Sequence, residues 1–401
     1  MAELTFEQLQ FEEKQDFIRV TFLNIFYFDV KKEELNKISD FKIEKNKISF
    51  KNISEKSAEN KFNLMINKGF ENLRNKINNK KTIYIHKNSG IPLIGTIFIG
   101  LIDRNSNIIE VKPVTGCNLD CIYCSVNETQ RYVDFVVEKD YLIQEFKKLV
   151  ELKSVNNIEA HINAQGEPLL YAPLADLIKD LKNIPQVKTI SIDTNGTLLT
   201  EKNIEQLAKA GLTRFNISLN ALTPEIADKI ANKPYNTERI KKLCAHIIKH
   251  TNLLLAPVWI PGINDKELPK IIEFAKTLKG KYKVQVGIQN FLNYKFGRNP
   301  VKQAPFDLFY EKLRDYEKKY NIDLVFNPET FKIIHTKPLP KPFKKGDKIK
   351  AEIVMAGRFP GEMIAAAKNR CISILNSSKQ KGTVKLRIIR SKHNIFIGTE
   401  F

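Results

Sequence analysis

The sequence has 401 residues, five cysteines and a formal net charge of +20 at pH 7. This length predicts two or three domains, and the ordinary apolar content, without enrichment in Gly or Pro, excludes a largely disordered chain. The longest apolar runs are far shorter than the roughly 20 residues of a membrane helix, and acids occupy the N-terminus where a secretory signal carries bases, so we expect a cytoplasmic protein without membrane segments.

Residues 1–107 are predicted to form a mixed α+β region. Apolar residues at helical spacing predict a helix over 6–17, and an aromatic run predicts a buried strand over 22–30. A second helix is expected over 62–77, followed by a small β element over 82–86 and 95–101. The region contains no cysteine, and no residue pattern in it points to chemistry.

Residues 108–335 show strands alternating with helices, which predicts parallel strands joined by right-handed crossovers. Six such units form a partial (β/α)6 barrel, with its active site at the C-terminal ends of the strands. The predicted strands are 108–114, 157–163, 187–194, 214–219, 253–260 and 284–290. The predicted helices are 139–152, 172–182, 202–210, 237–250, 266–278 and 305–320.

Three of the five cysteines, Cys117, Cys121 and Cys124, fall within eight residues directly after the first of these strands. This spacing, C-x3-C-x2-C, excludes a secreted disulfide framework and indicates metal ligation. Three thiolates on a short loop can hold three corners of a [4Fe–4S] cluster and leave the fourth iron open for catalysis. Zinc is the competing ligand, but no fourth Cys or His lies near the loop.

The segment CNLDCIYC, with Tyr123 before the third cysteine, resembles the signature of the radical S-adenosylmethionine (SAM) superfamily. The resemblance implies that Cys117, Cys121 and Cys124 bind a [4Fe–4S] cluster and that SAM chelates the open iron. A one-electron donor such as ferredoxin or flavodoxin would then reduce the cluster, and SAM would yield a 5′-deoxyadenosyl radical. Tyr123 corresponds to the position whose backbone contacts adenine.

Further segments match this family in order along the chain. Gly166 and Glu167 resemble its GGEP segment, which receives the SAM amino group, although Gln165 replaces the first glycine. Thr194 and Asn195 begin a TNG turn at the end of the third strand. Either motif alone is weak, and the ordered set carries the resemblance.

The next two strand ends extend the match. Ser218 and Asn220 correspond to residues that bind the SAM ribose, although a strand with one hydrated face would show the same alternation. Ile260 and Gly262 correspond to residues beside adenine, whereas the following Asn264 and Asp265 can simply cap the next helix. No residue of the chain is assigned a catalytic role.

The two remaining cysteines separate subclasses of the superfamily. Cys244 lies on an apolar helical stripe and is expected to be a buried hydrophobe, whereas Cys371 lies in the last domain. The chain lacks the N-terminal cysteines of methylthiotransferases and the extra C-terminal cysteines of enzymes with auxiliary clusters. We therefore expect a single cluster.

Residues 341–401 carry 14 Lys and Arg against 4 Asp and Glu, half of the net charge of the chain. Short strands separated by Gly, Asn and Ser predict a small all-β barrel, and the segment resembles the TRAM domain, an RNA-binding barrel. Its expected RNA contacts are basic residues that a solvated strand face would also explain: Lys385, Arg387, Arg390 and Lys392.

These features together predict a radical SAM enzyme, in the broad class of RNA-modifying transferases, that acts on a base in RNA, with tRNA as the preferred substrate. A base must leave its stack to reach the cluster. Two other functions fit the sequence: radical chemistry on a small molecule or protein side chain, and RNA binding with a structural or sensing cluster.

Overall fold

A computed structural model describes residues 1–401. None of its helices combines the length and apolar character that crossing a bilayer requires. Strands dominate the N-terminal region, in the order β1 (Ala2–Thr5), β2 (Leu9–Glu13), β3 (Phe17–Phe22), β4 (Phe26–Lys31), α1 (Lys32–Asn36), β5 (Phe41–Glu44), β6 (Lys47–Phe50), α2 (Glu55–Phe70), β7 (Arg74–Asn75) and β8 (Lys81–Ile85).

The prediction of a helix over 6–17 is wrong, because this segment contains strand β2. In β2 the side chains of Leu9 and Phe11 are buried, whereas Gln10 and Glu12 are exposed, which is the two-residue period of a strand. The strand expected over 22–30 is interrupted at Leu23 and Asn24, whose positive φ values of 48° and 66° turn β3 into β4. The second expected helix begins earlier, at Glu55, and ends at Phe70.

The central region contains the elements β9 (Gly100–Asp103), β10 (Ile108–Lys112), β11 (Val133–Val137), α3 (Lys139–Lys153), β12 (Ile158–Ile162), α4 (Leu174–Lys182), β13 (Val187–Thr194), α5 (Glu201–Ala210), β14 (Arg214–Ile217), α6 (Pro224–Ala231), α7 (Thr237–His250), β15 (Asn252–Leu255), β16 (Val258–Trp259), α8 (Glu267–Thr277), β17 (Val284–Val286), β18 (Gln289–Asn290) and α9 (Phe306–Tyr320).

Six strands of this region pair in parallel in the order β10-β12-β13-β14-β15-β17, which confirms the predicted partial (β/α)6 barrel. Helices α3, α4, α5, α7 and α8 bury one face each, as crossovers of a parallel sheet must. β9 extends the barrel sheet antiparallel to β10, and β11 pairs in parallel with β8 of the N-terminal sheet, which joins the two regions.

The C-terminal region forms the closed barrel that the sequence predicts. Its strands are β19 (Lys348–Ala356), β20 (Met363–Ala367), β21 (Arg370–Ile374), β22 (Gly382–Arg390) and β23 (Ile397–Glu400), and they close in the order β19-β20-β21-β23-β22. A separate apolar cluster that includes Phe343, Ile372, Leu386 and Phe396 fills the barrel.

The C-terminal barrel docks on the segment that connects β8 to β9. The backbone N–H of Cys371 donates to the carbonyl of Ile94 at 2.8 Å, and that of Phe396 donates to the carbonyl of Gly95 at 2.9 Å. A β-carbon on Gly95 would lie 2.0 Å from the carbonyl oxygen of Cys371. Only glycine allows this approach, so the contact between the two regions requires glycine at position 95.

We expect Gly95→Ala to destabilise this contact by about 1–3 kcal/mol through overpacking. Gly90→Ala is the matched control, since Gly90 also has a positive φ but nothing lies within 4 Å of its added β-carbon. Thermal unfolding and protease cleavage between residues 335 and 347 would measure the difference. Equal effects of the two substitutions would contradict the role of Gly95 in docking.

Candidate functional site

The loop that carries Cys117, Cys121 and Cys124 follows β10, and all three side chains are half-buried. The end of α6 holds its backbone in place: the N–H of Asp120 donates to the carbonyl of Ala231 at 3.1 Å, and that of Ile122 to the carbonyl of Ile230 at 3.0 Å. The three thiols are therefore presented from one anchored loop.

Burial raises the pKa of all three thiols, that of Cys117 strongly and that of Cys121 to about 12, although a hydrogen bond with Tyr123 lowers the latter. Thiolates at these positions thus require a compensating cation, which the irons of a cluster supply. Donors to sulfur are already in place, since Leu119 N–H lies 3.4 Å and Asn195 Nδ2 lies 3.9 Å from Cys117 Sγ. The residues present fit an iron–sulfur cluster.

Gly166 and Glu167 lie against this loop. Gly116 and Gly166 form a parallel bridge, and the N–H of Glu167 donates to the carbonyl of Gly116 at 2.8 Å. A β-carbon on Gly166 would lie 2.2 Å from that same oxygen. The close approach of the two backbones therefore requires glycine at position 166.

The carboxylate of Glu167 is buried and binds the end of one further strand, β13. It accepts hydrogen bonds from Leu169 N–H at 3.0 Å, from the Thr194 hydroxyl at 2.7 Å and from Asn195 N–H at 2.8 Å. Burial raises the pKa of Glu167 to about 7, and these three hydrogen bonds oppose the rise. An ammonium group brought to this carboxylate would favour its ionised form.

The structure gathers four of the predicted cofactor residues, Tyr123, Asn195, Ser218 and Asn220, around one pocket beside Cys121. Asn220 positions two other elements, since its amide donates to the Tyr123 hydroxyl at 2.9 Å and accepts from the N–H of Val258 at 2.8 Å. The hydrated-face alternative does not describe Asn220, which is buried.

Ile260 and Gly262 lie in the turn after β16. Ile260 is fully buried, whereas Gly262 is exposed with a φ of +78°. Asn264 and Asp265 shape this turn rather than cap α8: Asn264 accepts from the N–H of Ile260 at 2.8 Å, and Asp265 accepts from the N–H of Gly262 at 2.5 Å. The structure thus buries Ile260 and leaves Gly262 exposed.

Of the predicted RNA contacts, Lys385 and Arg387 are exposed on the outer face of β22, and Lys392 is exposed just beyond it. Arg390, at the end of β22, lines a cleft of about 820 Å³ between the two barrels. The cleft adjoins the cysteine loop through Ser125 and the second strand end through Asn163 and Gln165. The four residues therefore extend from an open face of the small barrel to this cleft.

Arg358 of the C-terminal barrel crosses this cleft to Gln165, which replaces the first glycine of the GGEP-like segment. Its guanidinium donates to Gln165 Oε1 at 2.7 Å, pairs with Glu362 at 3.3 Å and lies 4.6 Å from the centre of the Phe98 ring. Burial lowers the pKa of Arg358, and Glu362 opposes the change. The departure from the family pattern thus coincides with the contact between the barrels.

A polar network on the inner face of the barrel sheet was missed by the sequence analysis. His161 lies 3.1 Å from Asp193 and 2.8 Å from Ser191, while Lys112 donates to Asn163 at 2.8 Å. The signal was present as polar residues at alternate positions of consecutive strands. The complete set is Glu110, Lys112, Glu159, His161, Asn163, Ser191, Asp193, Arg214 and Asn216.

The two cysteines outside the loop are buried. Cys244 lies on the inner face of α7, as predicted, and the thiol of Cys371 donates to the carbonyl of Pro92 at 3.1 Å. Burial raises the pKa of both thiols to about 12. Both side chains are packed within the structure, away from solvent.

An α/β partial barrel with a three-cysteine loop at the first strand end defines the class of this protein. Residues 111–275 match the Radical SAM superfamily. The chain is also 40% identical over 358 residues to an uncharacterized protein of Methanocaldococcus jannaschii, covering 81% of this chain and 82% of that one. The protein belongs to the radical SAM superfamily, whose members use a [4Fe–4S] cluster, SAM and a reductant.

More distant relatives match parts of the chain. The GTP 3′,8-cyclase of Petrotoga mobilis is 33% identical over 171 residues, which span 42% of this chain and 52% of that enzyme. Among solved structures, Streptococcus suis SuiB bound to the precursor peptide SuiA aligns with 80% of this chain and 72% of its own, at 14% identity and a TM-score of 0.42.

We expect Gly166→Ala to lower the iron and sulfide content of the reconstituted protein, because the added methyl group must displace the cysteine loop through Gly116. Gly287→Ala is the control, since its nearest neighbours would be side-chain atoms, of Leu254 at 3.1 Å and of Phe326 at 3.4 Å, and not backbone. Visible absorbance and iron analysis would measure cluster content. Cys121→Ala, which removes one cysteine ligand, gives the cluster content expected when the ligand set is incomplete. Full cluster content in Gly166→Ala would refute the expectation.

Proposed function

We propose that this radical SAM enzyme modifies a base in RNA, with tRNA as its substrate. The proposal includes Cys117, Cys121 and Cys124 as the cluster ligands, the predicted residues around Tyr123 and Glu167 as the SAM site, and ferredoxin or flavodoxin as the electron donor. When bound, the cluster and SAM supply a 5′-deoxyadenosyl radical for hydrogen abstraction. The cleft between the two barrels is the observation that carries the choice of substrate.

The charge of this cleft favours an anionic substrate. Five basic residues line it against two acidic ones, Glu110 and Glu362. Glu110 is already paired with Arg104 at 2.5 Å and Lys112 at 3.1 Å, which hold the pKa of its carboxyl at about 2 against the effect of burial. The remaining positive charge attracts phosphate groups. The basic residues are Arg104, Lys112, Lys295, Arg358 and Arg390.

The outer face of the C-terminal barrel provides a basic surface that leads to this cleft. In the pairing of β19 with β22, Lys348 lies opposite Arg387 and Lys350 lies opposite Lys385, with all four side chains on the outer face. Like charges directly opposite one another destabilise a sheet, and a phosphate backbone would relieve their repulsion. Further along β22, Arg390 reaches the cleft.

The same surface offers a ring for stacking. Phe401 is 56% exposed, and its ring centre lies 5.2 Å from Lys348 Nζ and 6.0 Å from the guanidinium of Arg387. A basic surface with an exposed aromatic ring is typical of single-stranded nucleic-acid binding. The resemblance of this barrel to the TRAM domain supports the same function.

The inner polar network would receive the base. A base that leaves its stack can be held by hydrogen bonds to its edge, and Lys112 and Asn163 line the cleft on the side of the cysteine loop. Asp193 lies on the same sheet face, and its side chain is 44% exposed. Lysine and amide donors beside a carboxylate suit a base with both acceptors and donors.

A free nucleotide is the second candidate substrate, because the cationic cleft fits its phosphates and because relatives named GTP 3′,8-cyclase match this chain. The two candidates differ in their need for the β22 surface. Only a substrate longer than one nucleotide would contact both Lys385 and the cleft.

The test of function compares the nucleoside masses of tRNA and rRNA from cells with and without the gene. We expect one tRNA nucleoside to lose its mass increment in the deletion strain, to regain it with the wild-type gene and not with Cys121→Ala. Unchanged RNA, together with release of 5′-deoxyadenosine by the purified enzyme in the presence of a free nucleotide, would favour the second candidate.

We expect Lys385→Gln/Arg387→Gln to weaken tRNA binding and to reduce the slope of log affinity against log salt by about 2, one unit for each lost phosphate contact. The control Lys202→Gln/Lys242→Gln removes the same charge from exposed positions on α5 and α7. Filter binding of the full chain at several salt concentrations measures both slopes. Parallel losses in both variants would indicate nonspecific attraction instead of a binding surface on β22.

A further inference from the structure

A cluster of metal-ligating side chains lies on helices α5 and α7, outside the candidate active site. His246 and His250 are four residues apart on α7 and so share one face of the helix. Glu205 of α5 faces them: its Oε1 lies 3.0 Å from His246 Nε2 and 3.9 Å from His250 Nε2. The three ligand atoms all fall within 4.8 Å of one another.

These distances are close to those of a bound zinc ion. With zinc–nitrogen and zinc–oxygen bonds of roughly 2.0–2.2 Å, adjacent tetrahedral ligand atoms are about 3.3 Å apart. Small rotations of His250 and Glu205 would bring the cluster to this spacing, and both side chains are free to move because they are 34% and 53% exposed. The exposed side leaves a coordination position for water.

A second carboxylate is placed to support the cluster. Glu201, one turn before Glu205 on α5, lies 3.9 Å from Nδ1 of His246, the ring nitrogen that faces away from Glu205. In metal sites, the distal N–H of a histidine ligand commonly donates to a carboxylate, which fixes the ring and its tautomer. Glu201 and Glu205 therefore flank His246 as an outer partner and a co-ligand would.

We propose that Glu205, His246 and His250 form a binding site for a divalent transition metal of the zinc type, with Glu201 as the outer partner of His246. Two imidazoles and a carboxylate are ligands that such ions prefer to magnesium or calcium. Nε2 of both imidazoles lies near one carboxylate oxygen of Glu205. A cation between them satisfies all three atoms at once.

The bound ion would crosslink α5 to α7. Both helices contact the loop between β13 and α5, so the ion would also restrain this loop. Thr200 caps the start of α5, and Arg239 of α7 donates to the carbonyl of Thr197 at 2.9 Å and also bonds that of Leu199. The same loop begins at Asn195, which lies against Cys117. The metal would thus stabilise the loop between β13 and α5, which contains the TNG turn, without contacting the cleft.

The experiment titrates zinc chloride into the full chain after anaerobic reconstitution of its cluster, so that the loop cysteines are occupied. We expect one tightly bound zinc ion per chain and a higher melting temperature with zinc present. The zinc X-ray absorption spectrum should show imidazole nitrogen and oxygen at about 2.0–2.2 Å and no sulfur near 2.3 Å.

Three variants identify the ligands. His246→Gln/His250→Gln should lose the tight site, Glu201→Gln should weaken it about 10-fold to 100-fold, and His335→Gln, which removes an exposed imidazole elsewhere, should retain it. If the double variant fails to fold, Glu205→Gln at an exposed position provides the same test. Absence of a tight site in the wild type, unchanged binding in the variants, or a sulfur signal would overturn the proposal.

Discussion

Glu167 connects the ends of three barrel strands, β10, β12 and β13, at the point where the cysteine loop begins. Its backbone bonds Gly116, next to Cys117, while its side chain bonds Thr194 and Asn195 of the TNG turn. Burying a carboxylate costs free energy unless donors surround it, and here three donors do. The geometry of the site follows, because none of these loops can move without leaving a buried charge or a buried donor unpaired.

The position before this glutamate shows how the family scaffold is adapted in this chain. Where the family pattern has glycine, Gln165 offers an amide to Arg358 of the C-terminal barrel. Arg131 bonds the backbone carbonyl of the same residue at 2.6 Å, so Gln165 is held from two sides. The small barrel therefore contacts the GGEP-like segment beside the candidate SAM site through this side-chain hydrogen bond, and the N–H of Tyr132 donates to the carbonyl of Arg358 at 3.0 Å.

Much of the central region could be predicted because its signals are local. The alternation of apolar strands and amphipathic helices is read within short windows, and the parallel order of the strands follows from handedness. The strands of the N-terminal region are harder to predict from the sequence. The two-residue period of β2 extends over only five residues, and the apolar spacing around it resembles that of a helix. At Leu23 and Asn24 the turn depends on positive φ values, which a run of apolar and aromatic residues conceals.

The candidate site also contains parts that are predictable from local sequence and parts that are not. The cysteine loop and the Gly-Glu and TNG segments each have a fixed local spacing, whereas the cleft depends on residues more than 190 positions apart, such as Gln165 and Arg358. The cluster of Glu205, His246 and His250 likewise joins two helices. The local sequence around either residue of such a pair does not predict the other, because the packing of the barrel brings them together.

The docking of the small barrel on residues 91–99 also affects how the chain is made. Ile91, Leu93 and Ile94 are buried in the folded protein, yet the partners of Ile94 and Gly95, Cys371 and Phe396, follow them by 277 and 301 residues and are synthesised much later. At roughly 5–20 residues per second, these side chains wait roughly 15–60 s on the ribosome before their cover exists. During that time the nascent chain exposes an apolar segment beside the edge strand β9, and exposed apolar surface of this kind favours aggregation.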